Sequence, residues 1–363
     1  MGKINSLYVH IPFCARICPY CDFPKVIYRQ SWAYDYLNAL EQELKARDGG
    51  LFSTVYVGGG TPSCLSGAEL TRLLSFLRPH LVDGGEFSLE INPETLTMEK
   101  AKILSSFGVN RASIGAQSAT PKSLKTLGRK HTFEDVRKAV TLLRGQGINN
   151  INLDLMYGFP DESDQDVKED IASFLSLKVP HLSAYSLILE EGTAYHAKKI
   201  KPLDDDAQQA LFEIIREALI EARYERYEVS NFALPGFRCR HNLTYWKDEP
   251  YLAIGLGASG YLGDIRYKNT LNLSSYIKGD HEGEVERLGL SSQLEDFFLT
   301  NLRLAEGFDL KTFERRFGFP FLSRYQEAYE RCQSRGLLEI KDGRLACTSR
   351  GLDFLDLALL ELF

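Results

Sequence analysis

YVHIPFCARICPYCDF, residues 8–23, begins as a strand and breaks at once into a loop with three cysteines at C-x3-C-x2-C spacing: Cys14, Cys18 and Cys21. Residues 7–13 read as a core strand. A loop this tight turns all three thiolates toward one metal centre, so a zinc site or an iron-sulfur cluster is implied. Structural zinc takes four closed ligands, and no fourth Cys or His stands at finger-like spacing; His10 is near, but it lies inside the strand and points elsewhere. Three thiolates on a cubane cluster leave one iron without a protein ligand, an open position of the kind chemistry uses.

Outward from that loop, β-rich runs at 7–13, 54–58, 87–92, 111–117, 151–157 and 181–188 alternate with amphipathic helical stretches to about residue 225, which predicts a parallel sheet. Ser31 opens a helical run ending before Gly49, Ser66 with Glu69 makes a capping box, and Thr97 opens a run ending before Gly108. Further helices fall at 133–145, 164–178 and 205–223. Such units fit an open barrel or a doubly wound sheet. The barrel is favoured because polar or glycine residues recur in or at the ends of successive strands: Gly58-Gly59-Gly60-Thr61, Glu90, Gln117 and Asp154. Barrel enzymes build their sites on that one face.

The fold class is therefore α/β: a partial (β/α)6 TIM-like barrel over residues 1–230, followed by a barrel extension over 231–290 that carries HNLTYW (241–246) and the Gly-rich IGLGASGYLG. A C-terminal winged-helix-like α+β module takes 291–363, where LLEIKDGRLAC reads as two strands about an Asp342-Gly343 turn.

Composition narrows the function. At 363 residues and 44% hydrophobic content, the chain can build a barrel-sized core. A net charge of −6 argues against nucleic acid, and the last module, with ten Lys and Arg against twelve Asp and Glu, reads as a lid or docking unit rather than a DNA reader. No apolar run approaches the roughly 20 residues needed to span a bilayer, and the start lacks a signal core, so a cytoplasmic protein is expected. MGKINS matches a loose myristoylation pattern, which leaves peripheral membrane contact open. Seven cysteines, an odd number, do not suggest disulfides; Cys64, Cys239, Cys332 and Cys347 read as small buried hydrophobes.

C-x3-C-x2-C with an aromatic before the last Cys, here Tyr20, resembles the radical S-adenosylmethionine (SAM) superfamily, and GGGTPS resembles its glycine motif. Within it, LYVHIPFC, VGGGTPS, LEINPE, SIGAQS, NLDLMYGFP and the final module resemble the oxygen-independent coproporphyrinogen III oxidase-like family over nearly the whole chain. The resemblance implies a 4Fe-4S cluster on Cys14, Cys18 and Cys21, and SAM contacts by Tyr8, Gly59 and Glu90. It also implies a second ligand position among Tyr20, Gly60, Thr61, Gln117, Arg129, Asp154 and Ile188, and an electron donor as partner.

Two departures from the decarboxylating branch stand out. Phe23 replaces the further cysteine two positions after the third, and only a few residues precede Leu7, where that branch has a long extension. Both, with HNLTYW, resemble the haem-chaperone (HemW) branch, in which His241 would ligate haem iron while Tyr245 and Trp246 wall the macrocycle; a packing histidine beside two packing aromatics fits the motif equally. The resemblance thus implies haem binding and transfer to recipient haem proteins such as cytochromes, with self-association as a homodimer left open. The alternatives are radical decarboxylation of coproporphyrinogen III, and radical opening or methylation of haem.

Overall fold

Side chains alternate across a strand, so Leu7, Val9 and Ile11 leave the first strand on one side and Tyr8 and His10 on the other. The computed structural model describes residues 4–47 and 50–363; Gly2 of the myristoylation pattern and Gly49 at the expected end of the first helix lie outside them. Six strands, β1 (Ser6–Ile11), β2 (Phe52–Gly59), β3 (Leu81–Ile91), β4 (Arg111–Gln117), β5 (Asn150–Tyr157) and β6 (His181–Ser186), run parallel in chain order. Helices α1 (Gln30–Ala46), α2 (Gly67–Leu77), α3 (Met98–Ser106), α4 (Phe133–Gly145), α5 (Asp164–Ser176) and α6 (Asp205–Glu221) follow them. At one edge β8 (Asn231–Ala233) and β7 (Glu225–Arg226) add antiparallel, and at the other β9 (Leu252–Ile254) pairs parallel with β1. The sheet thus has two free edges and is an open, partial barrel.

The outer strand face is apolar. Val9, Val57, Leu89, Ile114 and Leu153 are fully buried with Leu40, Leu73, Val140 and Phe174 of the helices in one core. The inner face is not. Tyr56, Ser88, Glu90, Arg111, Ser113, Asn152, Asp154 and Ser183 occupy the alternate positions, so this lumen is polar where most barrels pack branched aliphatics.

Several element ends differ from those read in the sequence. β1 stops at Ile11 because Pro12 has no N–H for the ladder; Phe13–Cys14 then pairs separately with Val26–Ile27. β3 starts at Leu81, upstream of the readable alternation, and its pairing with β2 shifts register between Phe52 and Thr54. β6 ends at Ser186, leaving Ile188 beyond the strand. α1 begins at Gln30 with no side-chain cap, so Ser31 lies inside it. α5 and α6 stop two residues early, with Lys178 and Arg223 at φ of 51° and 69° beyond their ends, the left-handed step that closes a helix. The Ser66 and Glu69 capping box forms as read, and Thr97 caps α3.

Beyond the barrel, a helix (Leu290–Asn301), a short strand (Phe308–Asp309), two helices (Leu310–Phe317 and Phe321–Ser334) and a hairpin (Leu338–Lys341 with Arg344–Cys347) follow in winged-helix order. The hairpin turns on Asp342 and Gly343, both at positive φ, the two-residue turn whose twist suits paired strands. Phe297, Phe298, Phe308, Phe313 and Phe321 form a separate aromatic core. Arg226 of β7 pairs with Asp353, both nearly buried, and Arg303 lies 4.3 Å over the Trp246 ring, which joins this module to the barrel. No helix of the described residues is long and apolar enough to cross a membrane.

Candidate functional site

The cysteine loop leaves the sheet at Pro12 and returns beside its own start. Val26 N–H donates to the Pro12 carbonyl at 2.8 Å and Tyr28 N–H to that of Cys14 at 2.9 Å. His10 Nε2 donates to Pro24 O at 2.8 Å while its Nδ1 accepts from the Tyr8 hydroxyl at 3.0 Å, so both ring nitrogens are engaged and the ring ties the loop to β1. Burial pulls the pKa of His10 down to about 4 and keeps it neutral. Cys14, Cys18 and Cys21 open on one cleft. Burial pushes the Cys14 thiol up to about 11, with Cys21 and Cys18 adding to it against the Thr61 hydroxyl, which donates to its sulfur at 3.7 Å. Thiolates are soft donors, and with the neighbouring imidazole already committed they suit an iron-sulfur cluster better than a closed zinc tetrahedron, although among the described residues the three sulfurs are not drawn together into a metal cage.

The glycine turn is stitched to that loop. Gly60 N–H donates to Ile11 O and Thr61 N–H to Phe13 O, each at 2.8 Å. Gly59 sits at φ +110°, where a Cβ would lie 2.4 Å from the His10 ring, so only glycine fits. Its N–H donates to Glu90 Oε2 at 3.0 Å, and Tyr56 O–H donates to Glu90 Oε1 at 2.9 Å. Burial, then the Asp154 charge, raises the Glu90 carboxyl to about 7 despite those two donors. Asp154, also raised by burial, accepts from Asn152 Nδ2 at 2.7 Å and Ser113 Oγ at 3.3 Å.

Arg129 bridges loop and sheet: Nη1 donates to Cys18 Sγ at 3.4 Å, and Nη2 to Asn92 Oδ1 at 2.8 Å and Gly115 O at 2.7 Å. Gln117 ends β4 at φ 62°, where the ladder to β5 slips, and so turns its side chain into the cleft. Tyr20, Gly60, Thr61 and Ile188 line the same cleft, Ile188 from the loop after β6.

Two residues read as ligand contacts stand elsewhere. Tyr8 does not line the cleft; it lies behind Tyr56, ring against ring at 6.3 Å, and orients His10. His241 is fully buried, 2.8 Å from Thr54 Oγ1 through Nδ1 and 2.7 Å from Tyr245 O–H through Nε2, and burial lowers its pKa to about 3. Its helix, Arg240–Trp246, plugs the barrel at the end opposite the cysteines: the Arg240 and His241 amides each donate to Glu86 at 3.0 Å, and Thr244 Oγ1 meets Ser6 Oγ at 2.8 Å. Of the two readings of His241, this geometry favours the packing histidine, since the plug takes both nitrogens and Arg303 covers Trp246. Cys64 is half-buried, its thiol donating to Phe13 O at 3.4 Å, and Cys239 lines the cleft floor.

Sequence reading missed Tyr56, Asn92, Arg111, Asn152, Ser183 and Asn242, all in the cleft wall. Polar residues at every second position of β4 and β5 were the available signal.

Residues 8–174 match the family model of the Radical SAM superfamily, and residues 290–354 that of the HemN C-terminal domain. The chain is 39% identical to the heme chaperone HemW of Lactococcus lactis over 97% of its own length and 96% of that protein's. It is 34% identical to the heme chaperone HemW of Bacillus subtilis, over 96% of each. Among solved structures, coproporphyrinogen III oxidase (HemN) from Escherichia coli, described as a radical SAM enzyme, superposes with a TM-score of 0.87 over 99% of this chain and 90% of that one; at 23% identity the likeness is one of fold.

His241→Ala should destabilise the protein with no haem present, by about 2–4 kcal/mol, because it deletes a packed ring and strands the Thr54 and Tyr245 hydroxyls. Thermal unfolding of the haem-free protein checks this; an unchanged midpoint would mean that the plug does not depend on the ring.

Proposed function

Because the chain belongs to the radical SAM superfamily and, within it, to the HemW family, we propose that it is a haem chaperone, holding haem and passing it to recipient haem proteins. Full-length likeness to proteins named heme chaperone carries this reading. Phe23, 59% exposed at the mouth of the cleft where the decarboxylating branch has its further cysteine, supports it by giving that mouth an apolar surface.

In this reading Cys14, Cys18 and Cys21 hold a 4Fe-4S cluster, and Gly59 and Glu90 hold SAM, with Tyr8 acting through Tyr56 and His10. When bound, the pair supplies one-electron chemistry at the sulfonium. Glu90 accepts the ligand's cationic amine; Tyr56 and the Gly59 amide aim the carboxylate. Arg129, donating to Cys18 Sγ, stabilises negative charge on that sulfur.

Reconstituted, reduced protein given haem and coproporphyrinogen III separately, with SAM, should retain haem and form no protoporphyrinogen; decarboxylation overturns the reading. Cys18→Ala should lose most of its iron and sulfide after anaerobic reconstitution, and undiminished iron would refute the ligand set. SAM affinity should follow the ionisation of Glu90. A carboxyl near 7 is mostly protonated at pH 6 and half ionised at pH 7, while an α-amino group, ordinarily near 7.7–8.0, is still cationic at pH 7, so affinity should rise about fivefold between pH 6 and 7 and level off above it. Calorimetric titration of the wild type should show that slope, and Glu90→Gln should flatten it.

A further inference from the structure

Arg111 opens β4 and points into the lumen, 2% exposed, at the floor of the cleft. Its Nε and Nη1 have no hydrogen-bond partner in the protein. The acids that share the lumen give Arg111 no hydrogen bond, although the Glu86 charge acts on it through space: Glu86 accepts from the Arg240 and His241 amides at 3.0 Å and from the Cys239 thiol at 3.6 Å, and Asp154 accepts from Asn152 and Ser113. A guanidinium does not shed its proton, and a buried cation with unsatisfied donors is unfavourable unless an anion reaches it. Asn152 and Ser183, whose donors are spent within the lumen, and Asn242 surround the same floor with uncharged groups that do not oppose an anion's charge.

The two ends of the cleft therefore want different things. Its mouth carries Phe23 and Ile188, 59% and 65% exposed, beside the charged Arg16, Asp22, Lys25 and Glu190, and its floor holds the Arg111 guanidinium. Resting on the haem-carrier reading, we propose that Arg111 is the seat of a ligand carboxylate: a propionate of a porphyrin that enters the lumen pairs with this guanidinium. Glu90 stands opposite Ser113, and Arg111 starts the same strand two residues deeper, on the far side of the Gly59 and Glu90 position from the cysteines. The planar fork of Arg111 suits a bidentate carboxylate, and the cavity, about 460 Å³, is of small-ligand size.

Visible-absorption titration of the reconstituted full chain with haem and with haem dimethyl ester tests this without any substitution. Wild-type protein should bind haem at least about tenfold more tightly than the ester, the usual scale for a charge-assisted hydrogen bond, and Arg111→Gln should erase the difference while leaving SAM affinity in place. Equal affinities for haem and ester in the wild type remove the floor site and leave the carrier reading standing. Binding of neither overturns both. Loss of SAM affinity in Arg111→Gln with haem affinity unchanged overturns the assignment to the cargo and gives the carboxylate to SAM instead.

Discussion

A sheet buried on both faces must satisfy whatever it buries, and in this barrel the inner face is polar. That constraint organises the molecule. Asn152 Nδ2 donates to Asp154 and Ser113, its Oδ1 accepts from His181 and Ser183, and His181 in turn meets Tyr227. Such a network holds side chains in fixed directions because every rotamer change strands a partner. The lumen is thus a low-dielectric chamber in which Glu90 and Asp154 resist ionisation and Arg111 keeps donors that the protein does not fill.

The two ends of the chamber are built by different devices. At the strand C-termini the cysteine loop is sewn to the glycine turn through backbone amides, so the sulfur donors, Gly59 and Glu90 move as one body. At the N-termini the Arg240–Trp246 helix seals the barrel by aiming two amides at Glu86. A sealed floor and an open top leave a route in past Phe23 and Ile188. The winged-helix module packs Arg303 over Trp246 and so braces the plug from outside.

Where sequence reading and structure part, the cause is tertiary. HNLTYW has the composition of a haem wall, but composition does not tell which way a seven-residue helix faces; its imidazole turns to Thr54 of β2, 187 residues away in sequence. Arg111 merely opens the strand read at 111–117, and only the curvature of the sheet brings it under the cleft. The early stops of α5 and α6 rest on Lys178 and Arg223 entering left-handed backbone, which no side-chain preference announces.

By itself the sequence determined what is local. Cysteine spacing, the glycine turn, the capping boxes and the period-two apolar strands act over a few residues, and each sets backbone geometry through sterics or adjacent hydrogen bonds. Only the tertiary structure decided that the sheet stays open, that Glu90 and Asp154 share one lumen, that His241 closes the floor and that Arg111 is left with donors to offer. Those are outcomes of burial and of partners far apart in the chain, and desolvation is a property of the assembled surroundings rather than of the residue.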